Sequence, residues 1–310
     1  MFSSIKIIKQ AYQLVVAHKF LWAFGLLLVL PSIFNIVTYT VDGTSDKFFV
    51  DLNAVLAWLA NNLSWATLIG LGVLVVIVGL TLLMLRAQAA IIVSVRRIID
   101  KKETGFVNGF KNAKMFYWRI FGVLVLVFLF MLVALLVLGA PIYYLATSGL
   151  GNRAAILGIF ALVIFIPVSV YFRFIISLAP NYVVLHDLKI KESIRASADL
   201  IKVHWVKILV FTVVLGIVTF FAVIITLSLA ALVGYSVVQI VPLIYDLEGS
   251  GSNFTEIMGF TIGGLVILAL QAGIAAFGQV AWVLFFQELV SPEKIEETPE
   301  VGVVPEVISS

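Results

Sequence analysis

Residues 120–146 read IFGVLVLVFLFMLVALLVLGAPIYYLA, 27 positions without a charged side chain. At about 1.5 Å of rise per residue, a helix of that length exceeds the roughly 30 Å of hydrocarbon in a bilayer. A barrel strand would alternate polar and apolar residues over about ten positions, whereas this run is apolar on every face. It is therefore read as a membrane-spanning helix. Working outward, five more predominantly apolar runs are found at 20–39, 65–95, 154–185, 208–235 and 255–290.

The composition agrees. Of the 310 residues 62% are hydrophobic and 12% charged, against about 25% charged in an ordinary soluble domain. Cysteine is absent, which excludes disulfides and thiolate metal sites. Lys6, Lys9 and Lys19 precede the first run, which is longer than a cleavable signal segment and lacks a small-residue cleavage site, so it is expected to remain as the first span.

Eighteen of the 20 Lys and Arg fall before the first run, between Arg86 and Arg119, between Arg173 and Lys207, or in the tail at Lys294; only Lys47 and Arg153 fall on the other side. The positive-inside rule then predicts that both chain ends are cytoplasmic. The cationic segments lie beside the membrane, so anionic lipid headgroups are the expected partners, at about 1 kcal/mol per basic residue near the surface, and nucleic acid is not. Residues 291–310 carry Glu293, Glu296, Glu297, Glu300 and Glu306 around Pro292, Pro299 and Pro305, the composition of a disordered acidic tail.

An offset of 87 aligns Arg86 with Arg173, Asp100 with Asp187, Lys102 with Lys189 and Trp118 with Trp205; at 186, Ile8, Lys9 and His18 fall on Ile194, Arg195 and His204. Three units are inferred, at about 5–103, 104–190 and 191–290, each a surface helix followed by a two-span hairpin. In the third surface helix Ile194, Ala198, Ile201 and Trp205 oppose Arg195, Asp199 and Lys202. In the second, Phe106, Phe110, Ala113 and Tyr117 oppose Asn108, Lys111 and Lys114, and in the first, Ile5, Ile8, Tyr12 and Val15 oppose Lys6 and Lys9. Such amphipathic helices lie in the membrane interface.

Arg86 and Arg173 lie inside apolar runs, where an arginine either snorkels, caps a neighbouring helix's carbonyls, or holds a phosphate bidentately. Together with Arg96, Arg97, Lys101 and Lys102 they form the candidate lipid or phosphate contacts. Asn35, Gln88 and Gln271 are the candidate pathway residues, although interhelical hydrogen bonding is their commoner use. Asp100 and Asp187 read as ion-pairing or capping groups. His18, His186 and His204 read as interfacial anchors, since no metal-binding spacing joins them. Gly259 and Gly263 form a GxxxG that permits close helix contact within or between chains. No phosphate-binding glycine loop, nucleophile elbow or acid/base pair is visible, so no catalytic residue, metal or cofactor is expected.

Two further segments carry a resemblance: Ala17-His18-Lys19-Phe20-Leu21-Trp22-Ala23-Phe24-Gly25, and Leu178-Ala179-Pro180 followed by Lys191-Glu192-Ser193-Ile194-Arg195-Ala196-Ser197-Ala198. With these the chain resembles the polytopic membrane domain attached in some bacteria to glycerophosphodiester phosphodiesterases, and related six-span bacterial membrane families of unknown function. The resemblance implies a helical module of a bacterial plasma membrane, with no catalytic residues to carry over. The phosphodiesterase barrel itself would need about 250 residues, and no polar stretch of this chain approaches that. The expected fold is all-α, six spans in three hairpins. The expected function is non-enzymatic binding of anionic lipids or membrane partners in envelope or lipid homeostasis, with self-association left open; the alternative is a transporter or channel for a small or amphiphilic solute.

Overall fold

The computed structural model describes residues 2–32, 61–245 and 251–290, and among these every regular element is helical. In chain order they are α1 (Phe2–Ala17), α2 (Phe20–Val29, extended by a 3-10 turn Leu30–Ser32), α3 (Leu63–Ile99) and α4 (Phe106–Asn112, followed by a 3-10 turn Ala113–Met115). Then come α5 (Tyr117–Thr147), α6 (Gly151–Leu185), α7 (Ile190–Tyr245) and α8 (Gly251–Val290). Five helices are long and apolar enough to cross a membrane, or six if α1 and α2, bent by 105° at their junction, count as one broken span. This is compatible with a multi-pass membrane protein. The remainder of the first expected span, 33–39, and the tail 291–310 lie outside the described residues.

A 37-residue helix such as α3 is roughly 55 Å long at about 1.5 Å per residue, well beyond one bilayer crossing. The surplus length explains why each long helix has two zones. Along α3, Leu71 and Val75 are 63% and 64% exposed, whereas Ile91 and Ile92 are fully buried. The same change occurs along α6, between exposed Val163 and buried Leu178, and along α8, between exposed Leu265 and buried Val280. In α5 and α7 the order is reversed: Val123 and Val127 of α5, and Ile208 and Phe211 of α7, are buried, and Val137 and Leu232 farther along the same helices are exposed. One end of the bundle is therefore a packed core, and the other presents apolar side chains outward. Hydropathy cannot distinguish the zones, because a protein interior and a lipid tail select the same residues.

The turns and crossings follow from local chemistry. α5 ends in a Schellman motif in which Gly149 (φ 77°) takes the left-handed conformation and Leu150 N–H donates to the Leu145 carbonyl at 3.1 Å. Glycine fits there because it has no Cβ to clash, and the short connection lets α6 return along α5. α7 and α8 pack along each other, the Gly259/Gly263 face of α8 meeting Ala230 and Gly234 of α7, with no room for a Cβ at Gly259. The GxxxG thus works within the chain. The first expected hairpin differs: α2 touches α3 but packs more extensively on α8, because Gly25 lets it approach the Ala272 backbone closely.

The helices are interrupted at three places. α1 and α2 part at His18–Lys19. Phe116 (φ −100°, ψ −26°) separates the 3-10 turn from α5, and α7 bends at His204 (φ −119°, ψ 23°). The segments before these breaks have three faces rather than the two read from the sequence. On α1, Ser4, Ile7, Ala11 and Val15 are buried, Ile5 and Tyr12 are exposed apolar residues, and Lys6 and Lys9 are exposed. On the first part of α7, Ser193, Ser197 and Ile201 are buried while Trp205 is exposed. The two serines tolerate burial because their hydroxyls bond back to the Ile190 and Ser193 carbonyls at 2.8 and 2.7 Å, a local satisfaction open to Ser within helices.

Candidate functional site

The packed end carries most of the charge. Arg86 sits on α3 one residue after Leu85, the first buried position, and its half-buried side chain turns to α4. Its Nε donates to the Phe110 carbonyl at 3.2 Å, and its guanidinium carbon lies 3.9 Å from the centroid of the Phe110 ring. Phe110 lies near the end of α4, where carbonyls begin to lose their helical donors, and it stacks with Phe106 and with Phe24 of α2 (centroids 5.9 and 6.4 Å apart). Phe24 and Phe106 stack more closely, at 4.8 Å. Arg86 thus caps an aromatic stack that ties three helices together.

Arg96 is engaged as well, donating to the carbonyl of Leu185 at 2.9 Å. Leu185 is the last residue of α6, so the cation meets the negative end of a helix. Arg119 at the start of α5 pairs with the Asp187 carboxylate and donates to the Asp187 carbonyl at 3.3 Å. Asp187 and Lys101 both have φ of 54° and both lie two residues past a helix end. Lys102 N–H reaches the Arg97 carbonyl at 2.8 Å, and Lys101 N–H the Ile98 carbonyl at 3.0 Å. The ammonium groups of Lys101, Lys102, Lys111 and Lys114 remain exposed around this end, and Arg97 is half-buried. Asp100 approaches Lys102 at 3.8 Å, with both side chains well exposed.

The histidines separate. His18 Nδ1 lies 3.1 Å from the Leu14 carbonyl, closing the end of α1, and His204 marks the bend in α7. His186 lies beside Tyr182 and Phe286, with ring centroids 5.6 and 6.0 Å away. Burial, and then the neighbouring Arg96 cation, hold its imidazole below the usual range. Among the described residues no three His, Asp or Glu side chains gather as a metal site would require.

Gln88 lines a small groove between α3, α5 and α6, with Leu85, Ile120, Leu124, Ile176 and Pro180 among its walls. Its volume of about 10 Å³ matches a single water rather than a solute. Pro180 has no N–H to give the Ile176 carbonyl. Neither Arg86 nor Arg173 borders it, and neither does Gln271, which is half-buried on α8 beside Ala272. Asn35 lies outside the described residues. Arg173 is exposed on α6, and its guanidinium has no hydrogen-bond or ion-pair partner among the described residues.

Sequence reasoning missed the Phe24–Phe106–Phe110 stack, for which only the i, i+4 spacing of Phe106 and Phe110 offered a signal. It also missed fully buried Asn181, whose Nδ2 donates to the Ser177 carbonyl at 3.0 Å while Oδ1 has no partner among the described residues. Comparison with protein-family models, curated proteins and solved structures gave no match.

Proposed function

We propose that this protein is a non-enzymatic, multi-pass module of a bacterial plasma membrane, with its packed basic end in the cytoplasm, where it binds anionic lipid headgroups. The carrying observation is a rim of exposed Lys101, Lys102, Lys111 and Lys114, with Phe106, Val107 and Met115 exposed in the α4 segment beside Lys111 and Lys114. Each such cation would contribute about 1 kcal/mol of attraction to an anionic surface. The segments before the breaks at His18, Phe116 and His204 lie in the interface as the repeated elements of three units, with Ile5 and Tyr12 toward lipid. The resemblance to membrane domains accompanying bacterial glycerophosphodiester phosphodiesterases favours a place in envelope or lipid homeostasis. That Lys6 of α1 and Lys207 of α7 lie within electrostatic reach of Glu288 near the end of α8 supports both described chain ends being on one side.

Two measurements test the reading. The chain lacks cysteine, so single Lys101→Cys and Ser148→Cys variants label without background: in intact cells an impermeant thiol reagent should reach position 148 and spare 101. In proteoliposomes, retention of phosphatidylglycerol over phosphatidylcholine should fall when the four rim lysines are changed to Glu, with solute flux at background. The opposite labelling pattern overturns the orientation. Flux abolished by Arg86→Ala or Arg173→Ala would replace lipid binding with transport.

A further inference from the structure

Arg86 and Arg173 correspond at the offset of 87 and stand at the same level, 13 and 12 residues before the ends of α3 and α6. Their surroundings differ. Arg86 is satisfied by the Phe110 carbonyl and ring. The position 87 residues after Phe110 is Ser197, which is fully buried and bonded to its own helix, so the third surface helix offers Arg173 no equivalent ring.

A guanidinium stays protonated at any physiological pH, and one without an anion is unfavourable beside an apolar surface. The surface next to Arg173 is of that kind on one side and closed on the other. Toward the open end, Ile166 and Val170 are 59% and 41% exposed; immediately beyond it, Phe174 and Ile175 are buried. Phe172 of α6 stacks on Phe130 of α5 at 6.2 Å, beside exposed Phe128 and Leu129. Ile166, Val170 and Arg173 follow one another along one stripe of α6 at helical spacing, and a cation above such outward apolar residues is complementary to a molecule with a phosphate above two hydrocarbon chains.

We propose that Arg173 is the phosphate subsite for one tightly held anionic phospholipid, whose acyl chains lie along the α5–α6 face beside Phe130 and Phe172. The inference rests on the lipid-binding reading above but is narrower: one defined lipid held bidentately, apart from diffuse attraction to the lysine rim. Free phosphate shares the headgroup chemistry but leaves the apolar face uncovered, so a lipid is the assigned ligand.

The experiment is native mass spectrometry of the full chain released from phosphatidylglycerol-containing vesicles, followed by titration of delipidated protein with phosphatidylglycerol, phosphatidylcholine or inorganic phosphate. Wild type should retain one more phosphatidylglycerol than Arg173→Gln, which should bind it about tenfold more weakly, as expected when a charge-assisted bidentate contact is lost. Arg173→Lys, which keeps the charge and tests the same site if the glutamine variant misfolds, should recover part of the affinity, and Arg86→Lys should leave the lipid in place. Equal retention by Arg173→Gln and wild type overturns the assignment, as does saturation of the site by inorganic phosphate alone. If wild type retains no anionic lipid at all, the broader lipid-binding reading fails instead.

Discussion

The Arg86 guanidinium lies 3.9 Å from the centroid of the Phe110 ring, and its Nε donates to the carbonyl of the same residue at 3.2 Å. A single cation therefore fixes both the position and the rotation of α4. Hydrogen bonds to charged groups contribute about 1.5–3 kcal/mol, and a partly desolvated cation–π contact about 0.5–2 kcal/mol.

Arg86→Ala should therefore destabilise the protein by about 2–3 kcal/mol, with the loss concentrated at α4. Hydrogen exchange in a detergent micelle is the appropriate measurement. Amides of residues 106–115 should lose protection while those near Val280 keep theirs, and Arg86→Lys should restore only part of it, because an ammonium lacks the planar group that covers the ring. Uniform loss of protection across the bundle would contradict a local clamp.

Two glycines in helices should behave oppositely on substitution by alanine. At Gly25 a Cβ would run into the Ala272 backbone carbonyl of α8, which cannot give way as a flexible side chain would; overpacking of this kind costs about 1–3 kcal/mol. At Gly70 no atom lies within 4 Å of the added methyl, and the helix gains up to about 1 kcal/mol from alanine's higher propensity. Thermal midpoints of the two variants in detergent should shift in opposite directions.

These contrasts show where the sequence was legible. Residues 120–146 announced a spanning helix because nothing else accommodates 27 uncharged, mostly apolar positions. The GxxxG of Gly259 and Gly263 announced close packing, but its partner, Ala230 and Gly234 on α7, is the weaker half of the pattern and was not singled out. Gly25 gave no signal, because its role depends on α8, which is distant in the chain. Arg86 and Arg173 were recognised together, and their difference was not, since it is set by Phe110 and Ser197 on other helices. The inner boundary of the apolar zone was hidden for a physical reason: Ile91 packs against protein and Val75 faces outward, yet both are β-branched aliphatics.

Helix α3 offers a stabilising change at its end. Lys101 occupies the left-handed region at φ 54°, which costs a residue bearing a Cβ about 1–2 kcal/mol, and the Schellman bonds of Lys101 and Lys102 hold it there. Glycine is the preferred occupant of that position. Lys101→Gly should therefore stabilise by about 1 kcal/mol once glycine's extra unfolded-chain entropy is deducted, read as a higher urea midpoint at unchanged slope. A lower midpoint would mean that the Lys101 ammonium contributes more than its backbone strain removes.

The pH dependence should carry a signature of His186. Burial against Phe286 and Tyr182, and next the Arg96 charge, hold its imidazole below the usual range, while the adjacent Asp187 carboxylate is engaged by Arg119. The neutral form is therefore favoured in the folded protein. An unfolded chain would take up the proton at about pH 6.5, so below that value the unfolded state binds more protons than the native one and stability falls with pH. The contribution is complete above about pH 6.5 and is lost as the pH drops toward the depressed native value. The thermal midpoint of wild type should decline between about pH 7 and 5, and His186→Gln should flatten part of that decline. A steeper decline in the variant would mean that the folded protein prefers the imidazolium, with Asp187 rather than Arg96 setting its charge.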